Sequence, residues 1–143
     1  MGRKVCQKRR MLLMLIFALI FHCYFGSRSS VVAKVIAGEA GGEGIRGMRA
    51  VACVIQNRMS RSGKTARETV LAKSQFASLQ NPRLNKLYFA VKPVADRLAK
   101  RIGSLEDITD GATSFENVER FGHNHWTKRM KKTCKIGNHT FFK

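Results

Sequence analysis

The stretch VVAKVIAGEAGGEGIRGMRAVACVIQNRM, residues 31–59, decides how this chain folds, because two helical patterns meet in it across a glycine-rich break. In its first third Val32, Val35, Ile36 and Glu39 fall at i, i+3, i+4 and i+7, the spacing of one helix face. From residue 45 the period resumes, with Met48, Val51, Ala52, Ile55 and Met59 inward and the arginines mostly outward. The spacing predicts helices over 31–40 and 45–59 joined by a tight link.

Further along, Thr65-Ala-Arg-Glu68 has the form of a capping box and predicts a short helix running through Ala72. KSQFASLQNP, residues 73–82, reads as a loop. Residues 83–102 carry helical period again, and Pro93 either kinks that helix or starts its second half. Residues 105–122, LEDITDGATSFENVERFG, are rich in turn formers and poorly periodic. Gly137-Asn138 then stands as two residues between short β-prone runs, a hairpin signal. The expected fold is mainly α (α+β), one domain with a small C-terminal β-hairpin, and 143 residues leave room for one modest core.

The beginning of the chain reads differently. MGRKVCQKRR holds five cations and no acid, and the apolar run MLLMLIFALIFHCYF (11–25) follows, the two parts of a secretory signal. The run is short for a bilayer span, yet FGSRSS offers no clean small-x-small cleavage site, so residues 1–26 read as a signal peptide or an N-terminal membrane anchor. Both readings export residues 27–143 to the cell envelope, periplasmic or extracellular. Residues 1–26 contain five of the 27 Lys and Arg and none of the nine Asp and Glu, which leaves 22 cations against nine acids, +13, on the exported part. Such a surface seeks polyanions, and the leader points to anionic envelope polymers or phospholipid head groups. Nucleic acid is not the expected partner, since the basic residues are not interleaved with aromatics in one stripe.

Outside the leader only Cys53 and Cys134 remain, too few and too far apart for zinc spacing or a disulfide framework. Cys53, inside AVACVI, reads as a small buried residue, with pairing to Cys134 left open. His123 and His125 lack a third ligand, so no metal is expected, and no cofactor. Gly42-Glu-Gly44-Ile-Arg-Gly47 formally matches G-x-G-x-x-G, but no further βαβ unit follows and two glutamates would crowd a pyrophosphate.

The two glutamates suggest other chemistry. Glu39 ends its helix on the stripe of Val32, Val35 and Ile36, where burial and the negative helix end both favour the protonated form of a carboxyl. A carboxylic acid that keeps its proton near neutral pH is what glycosidic cleavage needs for its leaving oxygen. On the residues alone, a Glu39 that merely leaves the core for solvent is the competing reading. Glu43 just precedes the second helix, where a carboxylate complements exposed N–H groups.

These residues, VIAGEAGGEGIRGMRAVACVIQNRM, resemble the opening of the SleB/CwlJ-type cell wall hydrolases, the spore cortex-lytic enzyme family, with its G-E-A-R-G-E followed by a G-x-x-A-V-A-x-V-x-x-N-R helix. Gln75-Phe76 resembles the family's Q-F-S, residues 107–113 its D-x-T-x-G-A-T turn, and Trp126 with residues 135–141 its closing W…x-I-G-x-H-x-F. The resemblance runs in the family's order over nearly all of residues 31–142. It implies a lysozyme-like domain that cuts peptidoglycan between N-acetylmuramic acid and N-acetylglucosamine, as a lytic transglycosylase or a muramidase, with Glu39 as the single general acid. Candidate substrate-binding residues are Glu43, Asn57, Phe76, Thr113, Phe115, Trp126 and His139. Asn57-Arg58 also reads as a cap and a surface cation, the phenylalanines as core, and His139 as a strand-face residue. Gly41, Ala77 and Ser114 depart from the family's Arg, Ser, and His or aromatic residue. Two alternatives from other classes are a non-catalytic, membrane-anchored envelope-binding protein and a basic nucleic-acid-binding protein.

Overall fold

Small side chains let the first helix, α1 (31–40), be packed on two sides. Val32, Val35, Ile36 and Ala40 face a cluster that includes Met48, Val51, Ile55, Val70 and Phe76. Ala33 and Ala37, one turn apart, face Tyr88 and Ala95 instead. The computed structural model describes residues 31–143, so the leader expected over 1–26 lies outside the described residues.

A 3₁₀ turn, Gly41–Glu43, links α1 to α2, Gly44–Ser62. Gly44 has φ +71, a conformation that side chains rarely adopt. The predicted stripe of α2 is buried at Met48, Val51, Ala52 and Ile55, with Met59 packed beside it. Its opposite face is buried as well: Ala50 and Val54 pack on Ala112, Ile136 and Phe141. Because those two side chains are short, α2 lies between the helical core and the sheet. Gly63, at φ +68, ends α2 by donating its N–H to the Met59 carbonyl at 2.8 Å.

The helix α3, Ala66–Leu71, opens with both bonds of the expected capping box: Thr65 Oγ1 accepts from Glu68 N–H, and the Glu68 carboxylate accepts from Thr65 N–H at 2.8 Å. Thr65→Ala is expected to cost about 1 kcal/mol, measured as a shift in the denaturant midpoint with an unchanged slope. After a 3₁₀ turn, Ala77–Gln80, comes α4, Leu84–Arg101, in which Val91 (φ −124, ψ 16) breaks the helical geometry two residues before Pro93. The proline kinks the helix because it clashes with the preceding turn and lacks an N–H.

The C-terminal sheet has three antiparallel strands in the order β1-β3-β2: β1 is Ser114–Glu116, β2 Lys132–Ile136 and β3 His139–Phe142. The expected hairpin is β2-β3, turning at Gly137 with φ +59. The poorly periodic segment adds β1, which pairs Phe115 with Phe141, and a short helix α5, Val118–Phe121. Cys53 is buried and Cys134 partly so, both as free thiols; burial pushes the Cys53 thiol up. Among the described residues no helix is long and apolar enough to cross a membrane.

Candidate active site

Gly38 determines how close the end of α1 comes to the rest of the molecule. A Cβ on it would stand 2.6 Å from both Ser78 Cβ and Leu84 Cδ1, so only glycine fits against the 3₁₀ turn. The close approach brings the Ser78 backbone N–H to Glu39, where it donates to Oε1 at 2.9 Å. Glu39 is half-buried at this junction. Among the described residues its second oxygen accepts no hydrogen bond.

Arg58 comes from the last turns of α2. Its guanidinium lies over the Phe76 ring, 4.8 Å from the centroid, and its Nε donates to the Thr113 carbonyl at 2.6 Å. Burial draws this guanidinium below its ordinary value, and the negative charge of Glu39 acts in the opposite direction. The reading of Arg58 as a surface cation is therefore corrected: it stands half-buried, stacked on Phe76 and bonded to Thr113. Helical spacing carries the signal, since Arg58 follows Val51 by seven residues, Val54 by four and Ile55 by three, on buried positions. The Ser78 amide has no such signal, because a backbone group leaves no mark in side-chain identity.

Glu43 departs from its expected role. Its side chain makes no capping hydrogen bond to α2. Instead Oε2 accepts the Asn138 N–H at 3.1 Å and lies 3.4 Å from His139 Nδ1. The His139 contact is within ion-pair reach but lacks hydrogen-bond geometry, so the Asn138 amide is the directed partner. Two glycines shape the slot: a Cβ on Gly137 would fall 2.2 Å from Oε2, and one on Gly47 would fall 2.6 Å from Glu43 Cβ. The carboxylate thus joins the start of α2 to the β2-β3 turn, with the side chains of Glu43 and His139 only 12% and 14% exposed.

An aromatic row runs from Arg58 to Glu43. Phe115 packs 6.5 Å from Phe76, 5.8 Å from Phe141 and edge-on to His139 at 4.9 Å. Arg58, Phe76, Phe115, His139 and Glu43 therefore form one continuous wall. Phe76 is buried, which places it in the core as well as under Arg58. Trp126 is half-buried and makes its aromatic contact elsewhere, edge-on to Phe142 at 5.6 Å.

Asn57 works inside the protein. Its amide donates to Asp107 Oδ2 and to the Ala112 carbonyl, each at 3.0 Å. Thr113, the next residue, donates its N–H to the Phe142 carbonyl at 2.9 Å and accepts from both Arg58 and Arg61. The 107–113 turn is thus tied to α2 on one side and to β3 on the other. Among the described residues no group of three or more His, Cys, Asp or Glu is placed to hold a metal; His123 Nδ1 lies 3.4 Å from Thr127 Oγ1.

Comparison with known proteins now gives this arrangement a setting. The Cell Wall Hydrolase family model matches residues 42–142, a segment that starts just after Glu39. Two solved structures share the fold. The catalytic domain of the germination-specific lytic transglycosylase SleB from Bacillus anthracis is 24% identical, with 81% of this chain and 93% of that one covered at a TM-score of 0.67. The catalytic domain of the Bacillus cereus SleB protein is 23% identical, with 81% and 89% covered at a TM-score of 0.66. No curated protein sequence matches. The mainly α, lysozyme-like architecture expected from the sequence is the one these domains have. With the family match running over most of its length, the chain belongs to the SleB/CwlJ-type cell wall hydrolases.

Proposed function

We propose that this cell wall hydrolase cuts the glycan strand of peptidoglycan between N-acetylmuramic acid and N-acetylglucosamine, with Glu39 as its single general acid, and that it does so as a lytic transglycosylase. The observation that carries the reading is the unequal use of the two carboxylates. Glu43 is held in its glycine slot by the Asn138 amide, whereas Glu39 has one oxygen on the Ser78 N–H and one without a partner among the described residues.

An oxygen that accepts an N–H is not the one that carries the acid proton, so the Ser78 bond leaves Glu39 Oε2 to hold it. Glu39 gives this proton to the glycosidic oxygen as the C1–O bond breaks, and the leaving sugar departs as an alcohol. The carboxylate that remains takes the proton of the sugar's own 6-hydroxyl while that oxygen closes on C1. The product is a 1,6-anhydro ring, and the acid is regenerated. One carboxyl group suffices for this sequence, which is why an engaged Glu43 is compatible with it. Arg58, stacked on Phe76 two residues before the Ser78 that holds Glu39, supplies positive charge near the site while the carboxylate is ionised.

The reading of residues 1–26 as a leader supports a cell-envelope setting, and the surplus of cations supports retention on anionic envelope polymers. Digestion of purified wall sacculi, followed by mass spectrometry of the released fragments, tests the proposal. Anhydro ends are expected. Reducing ends would assign a muramidase instead, and sacculi that bind the protein but release nothing would favour the envelope-binding alternative.

A further inference from the structure

A cleft of about 390 Å³ lies between the end of α2, α3 and the turn before β1, with Arg58, Arg61, Lys64, Gln75, Thr113 and Ser114 among its lining residues. Among the described residues, no Asp or Glu lines it. Among the described residues, none of Arg58, Arg61 and Lys64 has a carboxylate oxygen within 4 Å. Arg58 and Arg61, one turn apart on α2, are both tethered to Thr113: Arg58 Nε donates to its carbonyl at 2.6 Å and an Arg61 terminal nitrogen to its hydroxyl at 3.3 Å. A guanidinium has five N–H donors, so the tether orients Arg61 and leaves donors free for a ligand. The negative end of α2 favours a cation nearby, but it does not require two guanidinium groups side by side on one threonine. Three cations around a concave site raise the local concentration of anions.

Arg58 also stacks on Phe76, two residues before Ser78, whose N–H holds Glu39, so the cleft adjoins the reaction site. An anion seated there belongs to the strand being cut. In peptidoglycan the anionic groups beside a cut sugar are the carboxylates of the peptide that the sugar carries. Resting on the peptidoglycan reading, we propose that this cleft receives a carboxylate of that peptide, with Arg61 and Lys64 as its charge partners, and thereby selects strands that carry peptide.

The test compares soluble glycan strands with their peptides intact and strands stripped of peptide by an amidase. Binding is measured by calorimetry on full-length protein carrying Glu39→Gln, which keeps the strands whole, and cleavage is measured with Glu39 intact. The peptide-bearing strand is expected to bind about tenfold more tightly, through two charge-assisted contacts in a partly exposed cleft. Adding Arg61→Gln and Lys64→Gln removes that tenfold preference and leaves stripped-strand binding unchanged, while the lost Arg61–Thr113 bond lowers the melting temperature by less than about 4 °C. Arg61→Lys, which keeps the charge, retains most of the preference. Equal binding of the two strands before those substitutions overturns the proposal, as does an equal loss on both strands after them. Phosphodiester polymer that displaces the peptide-bearing strand at equal concentration also overturns it, by assigning the cleft to phosphate. If the preference is present but Glu39-intact protein cuts neither strand, the carboxylate site stands and the cleavage reading fails.

Discussion

Glu39→Gln is expected to slow glycan cleavage about a thousandfold, within the range that a positioned general acid contributes. The substitution keeps the shape of the side chain and an oxygen that can accept the Ser78 N–H, so the contact at the end of α1 survives. It removes the transferable proton and the carboxylate that later takes the 6-hydroxyl proton. Release of anhydro fragments from sacculi should therefore collapse while the melting temperature moves by less than about 2 °C. A Gln variant that digests sacculi within threefold of the parent rate would remove Glu39 from the chemistry. Glu43→Gln should behave in the reverse sense: its partners are the Asn138 amide and His139, so it should register in stability more than in rate.

Asp107→Ala has the largest expected effect on stability, about 3 kcal/mol, because it strips four donors at once, three of them in partly buried bonds. Asp107 Oδ1 accepts the Thr109 N–H at 2.8 Å and the Thr109 hydroxyl at 2.6 Å, and Oδ2 accepts the Gly111 N–H at 2.7 Å and the Asn57 amide at 3.0 Å. The turn it holds includes two left-handed residues, Asp110 at φ +53 and Gly111 at φ +74, so its conformation depends on these bonds. A loss of this size should lower the melting temperature by about 10 °C. Burial pushes the Asp107 carboxyl up, but the bonds from Thr109, Asn57 and Gly111 outweigh it and hold the group below its ordinary value. The folded-state pKa is thus lower than the unfolded one. The stabilisation is complete above the unfolded value, near pH 4, and is lost as pH falls through the depressed folded value. Thermal melts of the parent should therefore decline below about pH 4 more steeply than those of Asp107→Ala. Parallel acid profiles would show that the Asp107 hydrogen bonds do not carry this stability.

Local pattern made much of the molecule legible. Both halves of residues 31–59 follow one helical period, Thr65 and Glu68 satisfy each other across three residues, and Gly137-Asn138 marks its hairpin, because each feature depends on neighbours within a turn or two. The order of short motifs also carried the family, whose match spans residues 42–142. The strand β1 was not legible, since three residues show no alternation, and what holds it is Phe115 opposite Phe141. Nor was the second buried face of α2, where Ala50 and Val54 become core only because a sheet covers them.

The fate of the two glutamates divides along the same line. Their types and their glycine-rich spacing, including the placement of Glu39 at the end of a helix stripe, belong to the sequence alone. The direction of each carboxylate belongs to the tertiary structure: Glu43 finds its partner 95 residues away at Asn138, and Glu39 finds its own 39 residues away at Ser78. A periodic pattern specifies which face of a segment avoids water, but the hydrogen-bond partner of a half-buried carboxylate is set by whichever backbone amide the packed chain brings within hydrogen-bond reach.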